Sequence, residues 1–333
     1  MRILLLHSKV PFGAPPDELD TLVQAEAIAA ALRSRGHFVI SAEFEANPAR
    51  LSEIVARSRA ELIFNLVESH WGQSAFAPLA LQIIERMGLP VTGSDAESMI
   101  ATSDKLTAKC VIADAGLPTP EWSEGPNWDS LDSGRRWIVK SADEDASVGL
   151  DDNSVQSGRA QILDRAEHCQ KEHGGRWFAE EFVDGREFNV AVLERNGVPE
   201  VLPIAEMRFV NWDRSRPRIV GYDAKWNPDA AEFNNTVRDF GWAAAETVLS
   251  EALNRIAIAA WNLFECRGYA RIDFRVDGNG RPHILEVNAN PCLEPGAGFA
   301  AAAERAGLSY DGLIEHICEA ALRRHVPERR AAS

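Results

Sequence analysis

No run in this sequence approaches the roughly 18 consecutive apolar residues that a membrane-spanning helix needs. No secretion signal opens it either. Met1-Arg-Ile-Leu-Leu-Leu-His7 is a very short apolar run that reads as a first β-strand, and the chain is expected to be cytoplasmic. Glycine is missing where nucleotide folds most often place it. No G-x-G-x-x-G follows the first strand, which disfavours a dinucleotide site of that kind. No G-x-x-x-x-G-K-[ST] is present, which removes a Walker-type phosphate loop. The five cysteines, Cys110, Cys169, Cys266, Cys292 and Cys318, form no C-x-x-C pair. Their odd number and wide spacing fit free thiols in a reducing compartment. Basic residues are outnumbered, 35 Lys and Arg against 50 Asp and Glu, for a formal net charge of −15. That field disfavours nucleic acid and anionic membranes as partners. It does not exclude ATP, because a local cluster of lysines with Mg²⁺ overcomes a global charge. Internal repeats and low-complexity tracts are also absent.

What is present is ordinary in bulk and specific in places. With 333 residues and 45% hydrophobic content, the chain has room for two or three domains with a real core. Nine tryptophans are many, and the sequence alone does not explain them. Strand-like runs at 3–6, 38–40 and 62–66 alternate with helical patterns at 19–35 and 51–59. This β-α-β-α-β order predicts an open parallel sheet, with the first domain ending near residue 100. Asp104-Lys105 opens a helix that Gly116-Leu-Pro-Thr-Pro120 stops. Residues 120–136 read as a loop, 137–140 as a strand ending in Lys140, and 236–268 as a long helical region.

The most informative stretch is Arg271-Ile-Asp-Phe-Arg-Val276, a turn, then Ile284-Leu-Glu-Val-Asn-Ala-Asn-Pro291. Two alternating runs around Asp277-Gly-Asn-Gly280 predict a β-hairpin. In the simplest register Asp273 faces Glu286 and Arg271 faces Asn288. Ile272, Phe274, Leu285 and Val287 then fall on the apolar side. A surface hairpin carries such a polar face at no cost. Yet two carboxylates across a ladder repel unless a cation joins them, and Asp, Glu and Asn offer only hard oxygen donors of the kind that suit Mg²⁺. Arg271 beside them is placed to clamp developing negative charge.

Arg271-Ile-Asp-Phe with Leu285-Glu-Val-Asn-Ala-Asn-Pro291 resembles the metal hairpin of the ATP-grasp superfamily. From about residue 3 to residue 325 the chain is similar to the D-alanine–D-alanine ligase branch, whose members are carboxylate–amine ligases that form ADP and an acyl phosphate. The resemblance implies an α/β (α+β) ATP-grasp fold in four parts. Residues 1–100 form an N-terminal open-sheet domain, and 101–184 a central subdomain with a phosphate-covering loop at 141–150. Residues 185–326 carry the metal hairpin, and 327–333 are a frayed tail. It implies ATP with two Mg²⁺ ions, Mn²⁺ being an accepted substitute, held by Asp273, Glu286 and Asn288. Lys105, Lys140 and Lys225 would meet phosphates. Glu180, Glu181, Phe182, Val183, Glu187 and Phe274 would surround the nucleoside, in the run Glu180-Glu-Phe-Val-Asp-Gly-Arg-Glu187. Arg271, Lys225 and Lys140 would act on the acyl phosphate and the tetrahedral state. The implied partners are a small carboxylate donor, an amine acceptor and a second copy of the chain in a homodimer.

Departures from the family fall at the substrate end. The phosphate loop, rich in Gly and Ser in relatives, reads Ser141-Ala-Asp-Glu-Asp-Ala-Ser-Val-Gly-Leu150, with Ala146 where relatives carry a serine. Trp226 replaces a tyrosine after Lys225, and Ala297 falls at or near a serine that holds the acceptor's carboxylate. The loop after the third strand reads Glu68-Ser-His-Trp-Gly72, so Glu68 and His70 join Trp226, Asn290 and Ala297 as candidate substrate contacts. Glu18 and Asp20 lie near the place of an early glutamate that grips the donor ammonium. Cys292 reads as a small space-filler rather than a nucleophile. These changes favour a ligase whose substrate is not plain D-alanine. The alternatives are an authentic D-alanine–D-alanine ligase, or a phosphotransferase or nucleotide-binding module on the same fold.

Overall fold

The computed structural model describes residues 1–69, 73–128, 131–132 and 134–325. Three sheets organise it. The first contains β1 (Arg2–His7), β2 (Phe38–Glu43) and β3 (Leu62–Leu66), all parallel in the order β2-β1-β3. The predicted β-α-β-α-β order is therefore present. The crossovers are α1 (Pro16–Ser34), with Pro16 at its first turn, and α2 (Pro48–Ser58), which Asn47 caps through bonds from the Ala49 and Arg50 amides. Then come α3 (Ala77–Glu85), α4 (Ala96–Ser103) and α5 (Lys105–Asp114). Asp104 caps α5 by accepting from the Thr107 amide at 2.7 Å, which fixes Lys105 as its first residue.

The central sheet is β4-β7-β5-β6, built from β4 (Trp122–Glu124), β5 (Arg136–Ser141), β6 (Val155–Ser157) and β7 (Trp177–Glu181), with α6 (Arg159–His173) on one face. Part of the expected 120–136 loop is thus strand β4, paired to β7. The third sheet runs β11-β10-β8-β12-β13, with β9 (Val198–Val201) beside β8. Its strands are β8 (Arg186–Arg195), β10 (Ala205–Phe209), β11 (Thr236–Asp239), β12 (Tyr269–Val276) and β13 (Pro282–Asn288). Strand β7 belongs to the central sheet and β8 to the last one, so Asp184-Gly185 is a passage between two sheets.

Short helices α7 (Tyr222–Trp226) and α8 (Ala231–Asn235) line the connection from β10 to β11. The expected helical region 236–268 begins instead as strand β11, because Thr-Val favours extended backbone and β10 offers an open edge. Its helix is α9 (Thr247–Leu263), which buries Leu253, Ile256, Ala257 and Ala260 against the third sheet. The chain ends with α10 (Gly298–Arg305) and α11 (Tyr310–Arg324). Among the described residues no helix is long and apolar enough to cross a membrane.

The cores do not follow the sheets one to one. One cluster joins Leu5, Ile28 and Phe64 of the first sheet and α1 to Leu193 of β8, Tyr269 of β12 and Ile317 of α11. A second contains Phe188, Ile272 and Phe274 under α9. The central sheet keeps its own cluster, with Trp128, Trp137 and Trp177 around Val139, Ile162 and Cys169. Three of the nine tryptophans thus serve this small core.

Candidate active site

The hairpin β12–β13 has the predicted register at its functional end: Asp273 is opposite Glu286 and Arg271 is opposite Asn288. The register then shifts between Asp273 and Phe274, so Phe274 pairs with Ile284 and Leu285 is the extra residue of a bulge. This corrects the expected apolar side. Ile284 is fully buried in its place, and Leu285 joins Glu286 on the wall of a cavity of about 690 Å³. Phe274 is fully buried under α9 and does not reach that cavity, so it is no nucleotide contact. Alternation puts it on the side opposite Asp273.

Asp273 is gripped in a fork. Arg271 Nε and Nη2 each donate to one of its oxygens at 2.8 Å, and Asn189 Nδ2 on β8 donates to Oδ1 at 2.8 Å. Burial pushes the Asp273 carboxyl up, but Arg271 outweighs it and holds the group below the usual carboxylate range. Glu286 lies 3.9 Å from Arg271 Nη2 and 4.0 Å from Lys105 Nζ. Asn288 Oδ1 accepts from the Asn290 amide at 2.9 Å. Among the described residues no group of three His, Cys, Asp or Glu side chains forms a ready metal cage. The set of two carboxylates and one amide supplies only oxygen donors and leaves most of a shell to other ligands. That fits Mg²⁺ shared with phosphates rather than a protein-caged ion. Such an ion would compete with Arg271 for Asp273.

Three lysines line the same cavity. Lys105 Nζ donates to Asp145 Oδ1 and to the Glu144 carbonyl, both at 2.8 Å. Lys140 Nζ lies 2.6 Å from Glu180 Oε1, and the buried Lys109 lies 2.6 Å from Glu180 Oε2. Glu180 was expected to meet the nucleotide. It lines the cavity, and lysines stand at both its oxygens, so it also steadies Lys140. Lys225, on α7, has no ion pair among the described residues; burial and the Arg271 charge both lower its pKa.

An apolar slot lies between the central and third sheets. Ile138, Phe182 and Ile219 form one buried cluster, and Leu285 also lines the cavity. Arg275, almost fully buried, ties the slot together. It donates from Nε to the Val183 carbonyl at 3.0 Å, from Nη2 to the Arg218 carbonyl at 2.8 Å, and from Nη1 to Glu187 at 3.2 Å. It also lies over the Phe182 ring, 5.2 Å from its centroid. Burial raises the Glu187 pKa against this pull. Glu181 lines the cavity edge, but its amide donates to the Glu121 carbonyl at 2.8 Å and its carboxylate pairs with Arg135 at 3.0 Å.

The other end of the cavity is acidic. The buried Gln24 donates to Asp20 at 2.9 Å and to Glu68 at 3.2 Å, and accepts from the Leu293 amide at 2.9 Å. Burial pushes the Glu68 carboxyl up to about 7. The Cys292 thiol donates to Asp20 at 3.3 Å, and burial raises its pKa, so it is no thiolate nucleophile. Ala297 immediately precedes α10 on this wall, Glu294 and Arg238 stand nearby, and Asn290 accepts from the Tyr269 hydroxyl at 2.7 Å. Trp226 Nε1 donates to the Ala146 carbonyl at 3.0 Å, so a ring that lines the cavity also holds the loop 141–150. His70 lies outside the described residues.

Residues 134–319 match the family model described as the D-alanine–D-alanine ligase C-terminus. The chain belongs to the D-alanine–D-alanine ligase family. That is an ATP-grasp family of ATP-dependent carboxylate–amine ligases, and this chain is a divergent member. It is 30% identical over 312 residues to a D-alanine–D-alanine ligase of Desulforudis audaxviator, covering 91% of this chain and 94% of that one. It is 31% identical over 323 residues to the uncharacterized protein y4sG of Sinorhizobium fredii, covering 95% and 92% respectively. Its fold matches that of a Bacillus anthracis D-alanine–D-alanine ligase complexed with ATP, with a TM-score of 0.75, 21% identity and 98% of both chains covered.

Within the family frame, the residues that single-sequence reading missed are supports. Asn189, Lys109, Arg275 and Gln24 act through another side chain each. Arg275 and Asn189 carried a faint signal, since alternation places them on the polar faces of β12 and β8. Lys109 and Gln24 carried none, because their partners come from distant elements.

Proposed function

We propose that this chain joins two amino acids of the D-alanine type. ATP activates the carboxylate of the first as an acyl phosphate, and the amine of the second displaces phosphate. The observation that carries the reading is one cavity lined by four cationic side chains, Arg271, Lys105, Lys140 and Lys225, together with the oxygen donors Asp273, Glu286 and Asn288. The curated relatives named D-alanine–D-alanine ligase favour an alanine pair over the unrelated substrate that the altered residues suggested. The homodimer and the boundaries near residues 100 and 184 remain part of this proposal.

In the mechanism the apolar slot takes the adenine and Glu187 takes the ribose hydroxyls. Lys105, Lys140 and Lys225 neutralise phosphate oxygens. Asp273, Glu286 and Asn288 would hold Mg²⁺, which would supply charge neutralisation to the phosphates. Arg271 stabilises negative charge on the acyl phosphate and then on the tetrahedral state. The loop 141–150 excludes water, which would otherwise hydrolyse the acyl phosphate. The acidic end, with Asp20 and Glu68, suits the ammonium of an amino-acid substrate.

A second reading rests on Trp226 and Ala297, which change the acceptor end. The deciding experiment incubates the purified chain with ATP and Mg²⁺, first with D-alanine alone and then with pooled amino acids and amines. Products are followed by mass spectrometry together with ADP and phosphate. A D-alanyl dipeptide carries the first reading. A different condensed pair carries the second. A phosphorylated single substrate overturns both and makes the chain a phosphotransferase.

A further inference from the structure

The loop over the phosphates differs from a Gly- and Ser-rich cover in charge, and its acids have distinct destinations. Asp143 pairs with Arg176 on the outside. The Glu144 carboxylate accepts from the Ser74 amide at 3.4 Å, across to the first domain. Asp145 turns to Lys105. The Lys105 amide donates to the Ala142 carbonyl at 3.0 Å, so the loop starts at the residue it then wraps. The Lys105 ammonium next meets the Glu144 carbonyl and the Asp145 carboxylate. Its side chain is only 10% exposed, while that of Asp145 is 51% exposed. Ala146 and Ser147 then take left-handed φ angles of 58° and 61°. From this turn the Ala146 carbonyl accepts from Trp226, and Ser147 Oγ donates to the Val220 carbonyl at 2.9 Å. The turn therefore pins Asp145 from its C-terminal side.

We propose that Asp145 is an internal competitor for the nucleotide: its carboxylate holds Lys105 as a phosphate group does, and nucleotide binding exchanges one anion for the other. This rests on the reading of the cavity as an ATP site. The chemistry is an anion swap on a buried ammonium, with no covalent step. A carboxylate half in water holds a cation weakly, so the exchange is easy and its effect modest. The same geometry gives Asp145 a specific signature. It weakens ligands that bring phosphate to Lys105 and leaves the nucleoside slot untouched. It acts by removing part of the binding-competent population.

The test is calorimetric titration of the full chain, Asp145→Asn and Glu144→Gln with MgATP, MgADP and adenosine. Asp145→Asn keeps the shape and removes the charge. It is expected to tighten MgATP and MgADP by roughly 3- to 10-fold and to leave adenosine unchanged. Glu144→Gln removes a neighbouring charge but keeps the Lys105–Asp145 contact, and is expected to shift MgATP by less than about 2-fold. Asp145→Glu keeps the charge and should bind MgATP like the parent. Unchanged or weaker MgATP binding in Asp145→Asn overturns the proposal. So does equal tightening in Glu144→Gln, which would show only a general charge effect, or equal tightening of adenosine, which would show only a looser loop. If the parent chain binds adenosine and MgATP not at all, the ligase reading falls first and this inference with it.

Discussion

In the proposed function Arg271 concentrates the chemistry of the site in one side chain. Its fork on Asp273 is bidentate, a geometry that lysine does not reproduce. Arg271→Lys is therefore expected to lower kcat about 100-fold or more while changing the KM for ATP little. Steady-state kinetics with ADP release as readout checks this, and circular dichroism confirms that the variant is folded. Glu68 gives a pH signature. Its carboxyl titrates near 7 when folded against 4.5 as a free side chain, because burial disfavours its charge. Between those pH values the folded chain binds more protons than the unfolded one, so this group's contribution falls as pH rises from 4.5 to 7. The loss is at most about 3 kcal/mol. Denaturation of parent and Glu68→Gln across that range should show the parent falling relative to the variant and then running level above pH 7. At this scale the oxygen face was legible because alternation along two strands reports faces directly. The supports were not, because Gln24 reaches Glu68 and Leu293 through folding, and no local pattern encodes that distance.

Elements meet most tightly where glycine lets two backbones approach. A Cβ on Gly185 would stand 2.0 Å from the Val276 carbonyl oxygen at the end of β12. That oxygen belongs to the hairpin backbone and has little freedom to move. Gly185→Ala is expected to cost about 3 kcal/mol of stability, read as a lower denaturant midpoint. Gly221 makes a similar approach between the loop 141–150 and α7, where a Cβ would meet the Leu150 carbonyl oxygen at 2.7 Å. Leu150 packs only on the small cluster of Ile138, Phe182 and Ile219, away from the large cores, so Gly221→Ala is expected to lower the melting temperature less than Gly185→Ala does. It should push the two loops apart and raise the KM for ATP by roughly 10-fold, measured by steady-state kinetics. Long periodic elements such as α1 and β12 were legible from sequence. The bulge at Leu285 was not, since one extra residue in β13 leaves the apolar composition of the strand intact. Nor was β11, whose four residues become a strand only because β10 presents an edge to them.

The whole molecule divides by cores, and that division differs from the division by sheets. The first sheet ends before residue 100, yet α1 and one face of that sheet share a core with β8, β12, α10 and α11. Ile28, Leu32, Leu5 and Phe64 are fully buried there, and each would lose about 1.5–3 kcal/mol if left in water. A fragment of residues 1–100 strips that core of its other half. The central unit is the opposite case. Trp128, Trp137, Val139, Ile162, Cys169, Trp177 and Ala179 pack with one another within a short span of chain. Two fragments test the contrast. Residues 1–100 alone are expected to unfold without a cooperative transition and to bind a hydrophobic dye. Residues 118–184 alone are expected to keep a cooperative, marginal transition visible in tryptophan fluorescence. A cooperative melt for the first fragment would show that its core closes without α10 and α11, and that the boundary near residue 100 is a folding boundary. The expected result makes the first and last parts one body. The candidate cavity, lined by Lys140 and Glu180 of the central sheet and by Asp20, Asp273 and Glu286 of the rest, then lies between the central sheet and that body.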